Sequence, residues 1–117
     1  MEDASESLGT VYNQGGFEGK HTGTIGQLGC LSFNGNKIIS SAGGGMILTD
    51  DNRLAEKARY LTTQAKDDPI RYIHHETGYN FRMTNIQAAL GLGQLEQLPR
   101  FLDQKRKIFY NAEKYNI

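Results

Sequence analysis

The chain contains 117 residues, in which 13 lysines and arginines balance 13 aspartates and glutamates and leave no formal net charge. This balance argues against nucleic acid and against a membrane surface as partners, since both attract basic proteins. The single cysteine, the acidic amino terminus and the lack of a long apolar run favour a soluble cytoplasmic protein without disulfide, signal peptide or membrane span. We therefore predict at most one modest globular domain.

The first half of the chain predicts turns and two strands. Residues 1–9 favour a short helical turn that a glycine ends, and residues 10–24 favour an irregular, glycine-containing excursion. Residues 24–33 predict a strand, because their side chains divide into two faces at the spacing of a strand. Residues 45–49 predict a second strand, which is apolar enough to be buried on both faces.

A turn between these two strands presents a lysine. Asn34-Gly35-Asn36 and Gly43-Gly44-Gly45 flank Lys37, and both stretches suit tight backbone because Gly and Asn tolerate positive φ. A lysine forms an imine with a carbonyl compound that is held against its deprotonated amine. Backbone amides in glycine-rich turns also favour anions, which makes a phosphate a reasonable companion. The turn alone leaves a solvated surface lysine as the alternative.

Three helices are predicted from capping patterns. Asp51, preceded by another aspartate, predicts the start of a helix whose apolar residues recur at helical spacing. Thr84 opens a capping box that predicts a second helix, reaching about Leu98, and Pro99 suits the first turn of a third. Between the first two, residues 65–83 predict a long polar and aromatic loop, of the kind that binds a ligand when it is ordered.

Five short motifs follow one another along the chain. They are Glu2–Gly9, Gly23–Gly26, Ser32–Lys37, Gly43–Thr49 and Gly78–Met83. In this order they resemble the DegT/DnrJ/StrS family of pyridoxal-phosphate-dependent nucleotide-sugar aminotransferases, from Glu2 to about Gln104. The resemblance implies an α/β fold that is part of a fold-type-I, aspartate aminotransferase-like large domain with C-terminal helices. Residues 1–98 would form the C-terminal part of the cofactor-binding large domain, and residues 99–117 a helix leading toward a small domain.

The resemblance also implies a role for each site residue. Lys37 stands where the family places the lysine that binds pyridoxal 5'-phosphate covalently and later shuttles the proton. Asp3 stands at the position that pairs with the pyridinium nitrogen, and a carboxylate there keeps the ring protonated. Ser32 matches the hydroxyl that binds the cofactor phosphate, and Asn80 matches an asparagine that reaches this phosphate from the other subunit of a homodimer. Glu6 occupies a position, commonly glutamine, near the ring oxygen, where a carboxylate changes the local charge.

The implied reaction moves an amino group, usually from glutamate, to the ketone of a nucleotide-linked 4-keto-6-deoxy sugar for surface glycans. Nucleotide-sugar and amino-acid substrates are therefore the implied partners. Some members of the family are dehydratases that lack the lysine, so Lys37 favours transamination. Family members are several times longer than this chain, which implies that the chain is a truncated piece that binds cofactor poorly and does not turn over alone.

Two other functions fit parts of the sequence. A non-catalytic piece could associate through helix 84–98, whose small residues allow close approach to a neighbour. A phosphate-binding glycine loop is weaker, because the triple glycine lacks the Gly-Lys-Ser/Thr of a P-loop. The three histidines, His21, His74 and His75, lack metal-ligand spacing, and we predict no metal site.

Overall fold

The computed structural model describes residues 1–115, which form a small α/β unit. Its elements are β1 (Glu2–Asp3), a 3-10 turn (Gly15–Phe17), β2 (Gly29–Ser32), β3 (Gly45–Leu48), α1 (Asn52–Thr62), α2 (Asn85–Leu95) and α3 (Leu98–Tyr115). The strands form one sheet in the order β1-β2-β3, with β1 parallel and β3 antiparallel to β2. The predicted fold class is therefore confirmed, and the sheet is mixed. In the described part of the chain, no helix has both the length and the apolar composition needed to cross a membrane.

The first strand of the sequence analysis is shorter than predicted. Residues 23–28 form turns, and β2 begins only at Gly29. A Cβ atom at Gly29 would lie 1.8 Å from the carbonyl oxygen of Gly23, so only glycine fits where the turn packs against the strand. Residues 1–9 form β1 and two turns instead of the predicted helical turn, although Gly9 adopts the expected positive φ of 81°.

The helix starts follow the capping patterns. The Asp51 carboxylate accepts hydrogen bonds from the backbone N–H groups of Arg53 and Leu54, at 2.8 and 3.4 Å. Thr84 and Gln87 form the full capping box, in which each side chain bonds the other residue's backbone N–H. These bonds satisfy N–H groups that have no partner within the helix.

The helix ends differ slightly from the prediction. The second helix ends at Leu95, three residues before the predicted end, and α3 begins at Leu98 with Pro99 in its first turn. The last two residues of the predicted segment 99–117 lie outside the described residues. The helical part of that prediction is therefore observed as far as Tyr115.

The prediction that β3 is buried on both faces is wrong in this structure. Met46 and Ile47 are 46% and 48% exposed, because the described elements leave the faces of β3 partly uncovered. An open groove of about 760 Å³ lies between this sheet face and α1. The core is correspondingly small, and its buried apolar residues among those described are Ala4, Phe33, Ile39 and Ala65.

The loop over residues 65–83 is held against α1 by a carboxylate. The Tyr60 hydroxyl donates to both carboxylate oxygens of Asp67, at 3.1 and 3.0 Å, and the His75 backbone N–H donates to one of them at 2.7 Å. The His75 N–H is the main reason that the pKa of Asp67 is lowered. The Asp67 carboxylate therefore joins the end of α1 to the middle of the loop.

We expect this clamp to release in acid. Because the pKa of Asp67 is lowered in the folded protein, its ionised carboxylate contributes fully to stability above the ordinary value of 3.8. This contribution is lost as the pH falls through the folded pKa. In NMR spectra, the His75 amide signal should titrate with the Asp67 carboxyl, below pH 3.8. Asp67→Asn should abolish that titration, whereas Asp50→Asn should leave it unchanged. A His75 amide that ignores Asp67 would contradict the clamp.

Candidate active site

The lysine turn is the connection between β2 and β3, residues 33–44, and two backbone hydrogen bonds of Phe33 close it. The Phe33 N–H donates to the carbonyl of Gly44, and its carbonyl accepts from the N–H of Ser41, both at 3.0 Å. Gly44 has a positive φ of 84°, as the triple glycine predicts, and Ala42 also adopts a positive φ of 65°. Both hydrogen bonds involve Phe33, which directly follows β2, so they fix the ends of the loop that carries Lys37.

Lys37 pairs with a carboxylate from the segment that follows β1. Its backbone N–H donates to the carbonyl of Asn34 at 3.1 Å, and its Nζ forms an ion pair with Glu6. The Lys37 side chain is only 13% exposed, whereas that of Glu6 is 73% exposed. The Lys37 side chain is therefore mostly covered, and its amine pairs with a carboxylate that is exposed at the protein surface.

Asp3 is held mainly by Ser5, and its carboxylate also senses the charge of Lys37. Its pKa is lowered mainly by hydrogen bonds from the side chain and the backbone N–H of Ser5, the latter at 3.0 Å, and further by the Lys37 ammonium. The Asp3 carboxyl is therefore ionised at neutral pH. The structure thus brings together three of the predicted site residues, namely Asp3, Glu6 and Lys37.

The other two predicted site residues lie elsewhere. Ser32 ends β2 opposite Gly45, and its hydroxyl oxygen accepts the Asn34 N–H at 3.4 Å, so it lies at the base of the lysine turn. Asn80 is exposed and pairs with Thr63 just after α1. Within residues 1–115, the contacts of Asn80 do not join it to the Asp3, Glu6 and Lys37 cluster.

Two features of the cluster were missed by sequence reasoning. Ser5 is the main hydrogen-bond partner of Asp3, and the two-residue spacing of an Asx turn could have indicated it. The ion pair of Glu6 with Lys37 joins residues 31 positions apart, which no local pattern indicates.

The clustered side chains fit pyridoxal 5'-phosphate. An ionised carboxylate at Asp3 suits a protonated ring nitrogen, and a mostly enclosed amine at Lys37 suits covalent attachment to an aldehyde. Ser32 adds a hydroxyl beside the lysine turn that can donate to a phosphate oxygen. Within the described residues, no group of three metal-binding side chains is placed to hold a metal ion.

An α/β unit that carries a lysine on such a turn is typical of the large domain of fold-type-I pyridoxal-phosphate-dependent transferases. The sequence profile of the DegT/DnrJ/EryC1/StrS aminotransferase family matches residues 1–115, and the chain belongs to this family. The resemblance seen in the five motifs is therefore confirmed, and so is the dependence of the family on pyridoxal phosphate.

Individual relatives match almost the whole chain. EpsN of Bacillus subtilis, named as a candidate pyridoxal phosphate-dependent aminotransferase, is 49% identical over 93% of this chain and 27% of its own length. GDP-perosamine synthase of Caulobacter vibrioides is 44% identical over 92% of this chain and 28% of its own length. The solved structure of Helicobacter pylori PseC, an aminotransferase of pseudoaminic acid biosynthesis, superposes with a TM-score of 0.71 at 34% identity, covering 83% of this chain and 25% of PseC. The chain thus spans between a quarter and a third of the length of these relatives.

Proposed function

We propose that this chain supplies the cofactor-binding lysine and carboxylate of an aminotransferase that acts on a keto nucleotide sugar. The observation that carries the proposal is the cluster of Lys37, Asp3 and Glu6, which comes from two separate segments of the chain. The names of the relatives, GDP-perosamine synthase among them, support a nucleotide-linked sugar as acceptor. Glutamate is the proposed amino donor, and polysaccharide biosynthesis in the cytoplasm is the proposed setting.

Each residue has a separate task in this proposal. Pyridoxal phosphate, when bound, supplies the electron sink for the reaction. Lys37 binds the cofactor through its amine and then moves a proton as general base and acid. Asp3 keeps a proton on the ring nitrogen, since its carboxyl stays ionised at neutral pH. Ser32 holds the phosphate, and we propose that Asn80 of a second subunit completes that contact in a homodimer.

The domain assignment stays a proposal as well. Residues 1–98 would belong to the large, cofactor-binding domain and residues 99–117 to a helix that leads toward a small domain. The boundary is supported by the short connection between α2, which ends at Leu95, and α3, which begins at Leu98. Because the large domain of such an enzyme surrounds its cofactor, we propose that the 117-residue chain alone does not turn over.

The proposed function is tested by incubating the protein, in its native full-length form, with pyridoxal phosphate, glutamate and a nucleotide-linked 4-keto-6-deoxy sugar. We expect glutamate-dependent formation of an amino sugar, together with an equal amount of 2-oxoglutarate. Consumption of the keto sugar without formation of an amino sugar would instead support a dehydratase and would contradict the proposal.

The Glu6 contact gives a milder test of the site. The Lys37 amine must leave Glu6 before it can attack an aldehyde, so Glu6→Gln should speed the capture of pyridoxal phosphate, by at most about fivefold because the pair is exposed at Glu6. Stopped-flow absorbance measures this capture, and Glu18→Gln, at an exposed glutamate in the excursion, is the control. Slower capture in Glu6→Gln would show that Glu6 assists the lysine instead of restraining it.

One observation favours association as a second role. The apolar side chains of α2 are exposed, with Ile86 at 83% and Leu92 at 58%. Such a surface favours contact with another polypeptide. Light scattering over a range of concentrations, without cofactor, would reveal this association, and Ile86→Lys should weaken it.

A further inference from the structure

Glu2 lies immediately before Asp3 and anchors a distant loop with its carboxylate. One carboxylate oxygen accepts the N–H groups of Ile25 and Gly26, at 3.0 and 3.3 Å, and the other accepts the Tyr12 hydroxyl at 3.3 Å. Hydrogen bonds from the backbone, led by that of Gly23, lower the pKa of Glu2. The reaction proposed above gives Glu2 no task.

These bonds matter because β1 is very short. It pairs with β2 over only two positions, Glu2 with Gly29 and Asp3 with Cys30. Two backbone hydrogen bonds extend this pairing only slightly. The Glu2 N–H donates to the carbonyl of Leu28 at 2.8 Å, and the Ala4 N–H donates to the carbonyl of Cys30 at 3.0 Å. A slip of one residue in such a pair turns every side chain of the strand to the opposite face.

The Glu2 side chain opposes such a slip. Its two N–H partners, Ile25 and Gly26, lie in the turns that lead directly into β2, so a shift of β1 would break both bonds. Successive side chains of a strand point to opposite faces. Glu2 can therefore hold the turn on one face while the Asp3 side chain lies on the other.

We infer that Glu2 is a positioning residue, which fixes the register of β1 and thereby sets the position of the Asp3 carboxylate relative to Lys37. The inference rests on the proposed function for its catalytic meaning, because Asp3 is proposed to hold the ring-nitrogen proton. The geometric part concerns only this chain's own residues. It can be tested without cofactor.

The test follows the titration of the Asp3 carboxyl by carbon NMR in the cofactor-free protein. In the wild type, this pKa is below the ordinary value of 3.8 because of Ser5 and Lys37. Glu2→Ala should remove the part of this lowering that depends on Lys37, since the strand is no longer held in register, whereas the Ser5 hydrogen bonds are local to Asp3 and should persist. Glu2→Gln removes the same charge but keeps an oxygen that can accept the Ile25 N–H, so the Asp3 pKa should be lower in Glu2→Gln than in Glu2→Ala.

Two further variants keep the test decisive. Glu18→Ala removes an exposed carboxylate that is not among the contacts of Glu2 and should leave the Asp3 titration unchanged. Tyr12→Phe removes only one of the hydrogen bonds to the Glu2 carboxylate, so it should raise the Asp3 pKa by less than Glu2→Ala does, and it serves if Glu2→Ala does not fold.

The outcomes separate positioning from general stabilisation. A lower urea midpoint with an unchanged Asp3 titration, in Glu2→Ala or in Tyr12→Phe, would overturn the inference, because Glu2 would then only stabilise the fold. The titration uses no cofactor, so the failure of cofactor binding at Lys37 would refute the proposed function and leave this result standing.

Discussion

Lys37→Ala is expected to abolish amino transfer by the native full-length protein. The variant loses both the amine that binds the cofactor and the group that moves the proton, so kcat should fall by at least about 10³-fold. The variant should lose some packing, because the Lys37 side chain is only 13% exposed, but the fold should survive, because the ion pair that is lost involves the exposed carboxylate of Glu6. Steady-state production of 2-oxoglutarate from glutamate measures the loss.

The matched control for this variant is Lys105→Ala. Lys105 is an exposed lysine on α3, and its replacement should leave kcat unchanged. Circular dichroism of both variants checks that α1, α2 and α3 persist. A Lys37→Ala enzyme that retains more than a tenth of the wild-type kcat would show that another residue carries the cofactor.

Asp3→Asn is expected to have the second-largest effect. An asparagine cannot keep a proton on the ring nitrogen, so the electron sink weakens and kcat should fall by about 10²- to 10³-fold, the typical cost of removing one well-placed electrostatic contact. KM for the sugar should change little, because Asp3 is proposed to act on the cofactor and not on the substrate. The comparison of kcat with KM therefore distinguishes this role from a substrate-binding role.

A conservative variant completes this test. Asp3→Glu restores the charge with one more methylene group, so it should recover part of the lost rate. Asp50→Asn, at an exposed aspartate before α1, should have no effect. Equal rates for Asp3→Asn and the wild type would refute the pairing of Asp3 with the ring nitrogen.

Local features of the fold were predictable because neighbouring residues determine them. The Asp51 cap of α1 and the capping box of Thr84 and Gln87 each depend on residues within three positions of one another. The tight turn around Lys37 likewise follows from the asparagines and glycines beside it. These patterns correctly predicted where α1 and α2 begin and that a tight turn carries Lys37.

Features that depend on distant residues were not predictable in the same way. Glu2 bonds Ile25 and Gly26, and this replaces strand pairing in residues that an apolar pattern assigned to β2. The exposure of Met46 and Ile47 depends on which elements cover β3, and an apolar sequence cannot indicate that. Such contacts arise from topology, which single-sequence patterns do not encode.

Some residues of the candidate site were placed together as the sequence implied, and one was not. The family resemblance indicated Asp3, Glu6 and Lys37, and the structure brings these three together. Asn80 is separate from them in the single chain, and its role therefore depends on the proposed second subunit. Ser32 lies at the base of the lysine turn, and its contact with the cofactor phosphate stays a prediction.

The assignment of Lys37 as the cofactor-binding lysine is tested most directly by borohydride reduction of the native full-length protein after incubation with pyridoxal phosphate, followed by peptide mass mapping. We predict one stable phosphopyridoxyl adduct within residues 1–115, on Lys37, and its loss in Lys37→Ala. Adducts spread over exposed lysines such as Lys20 and Lys107, with none enriched at Lys37, would contradict the assignment of this turn as the cofactor site.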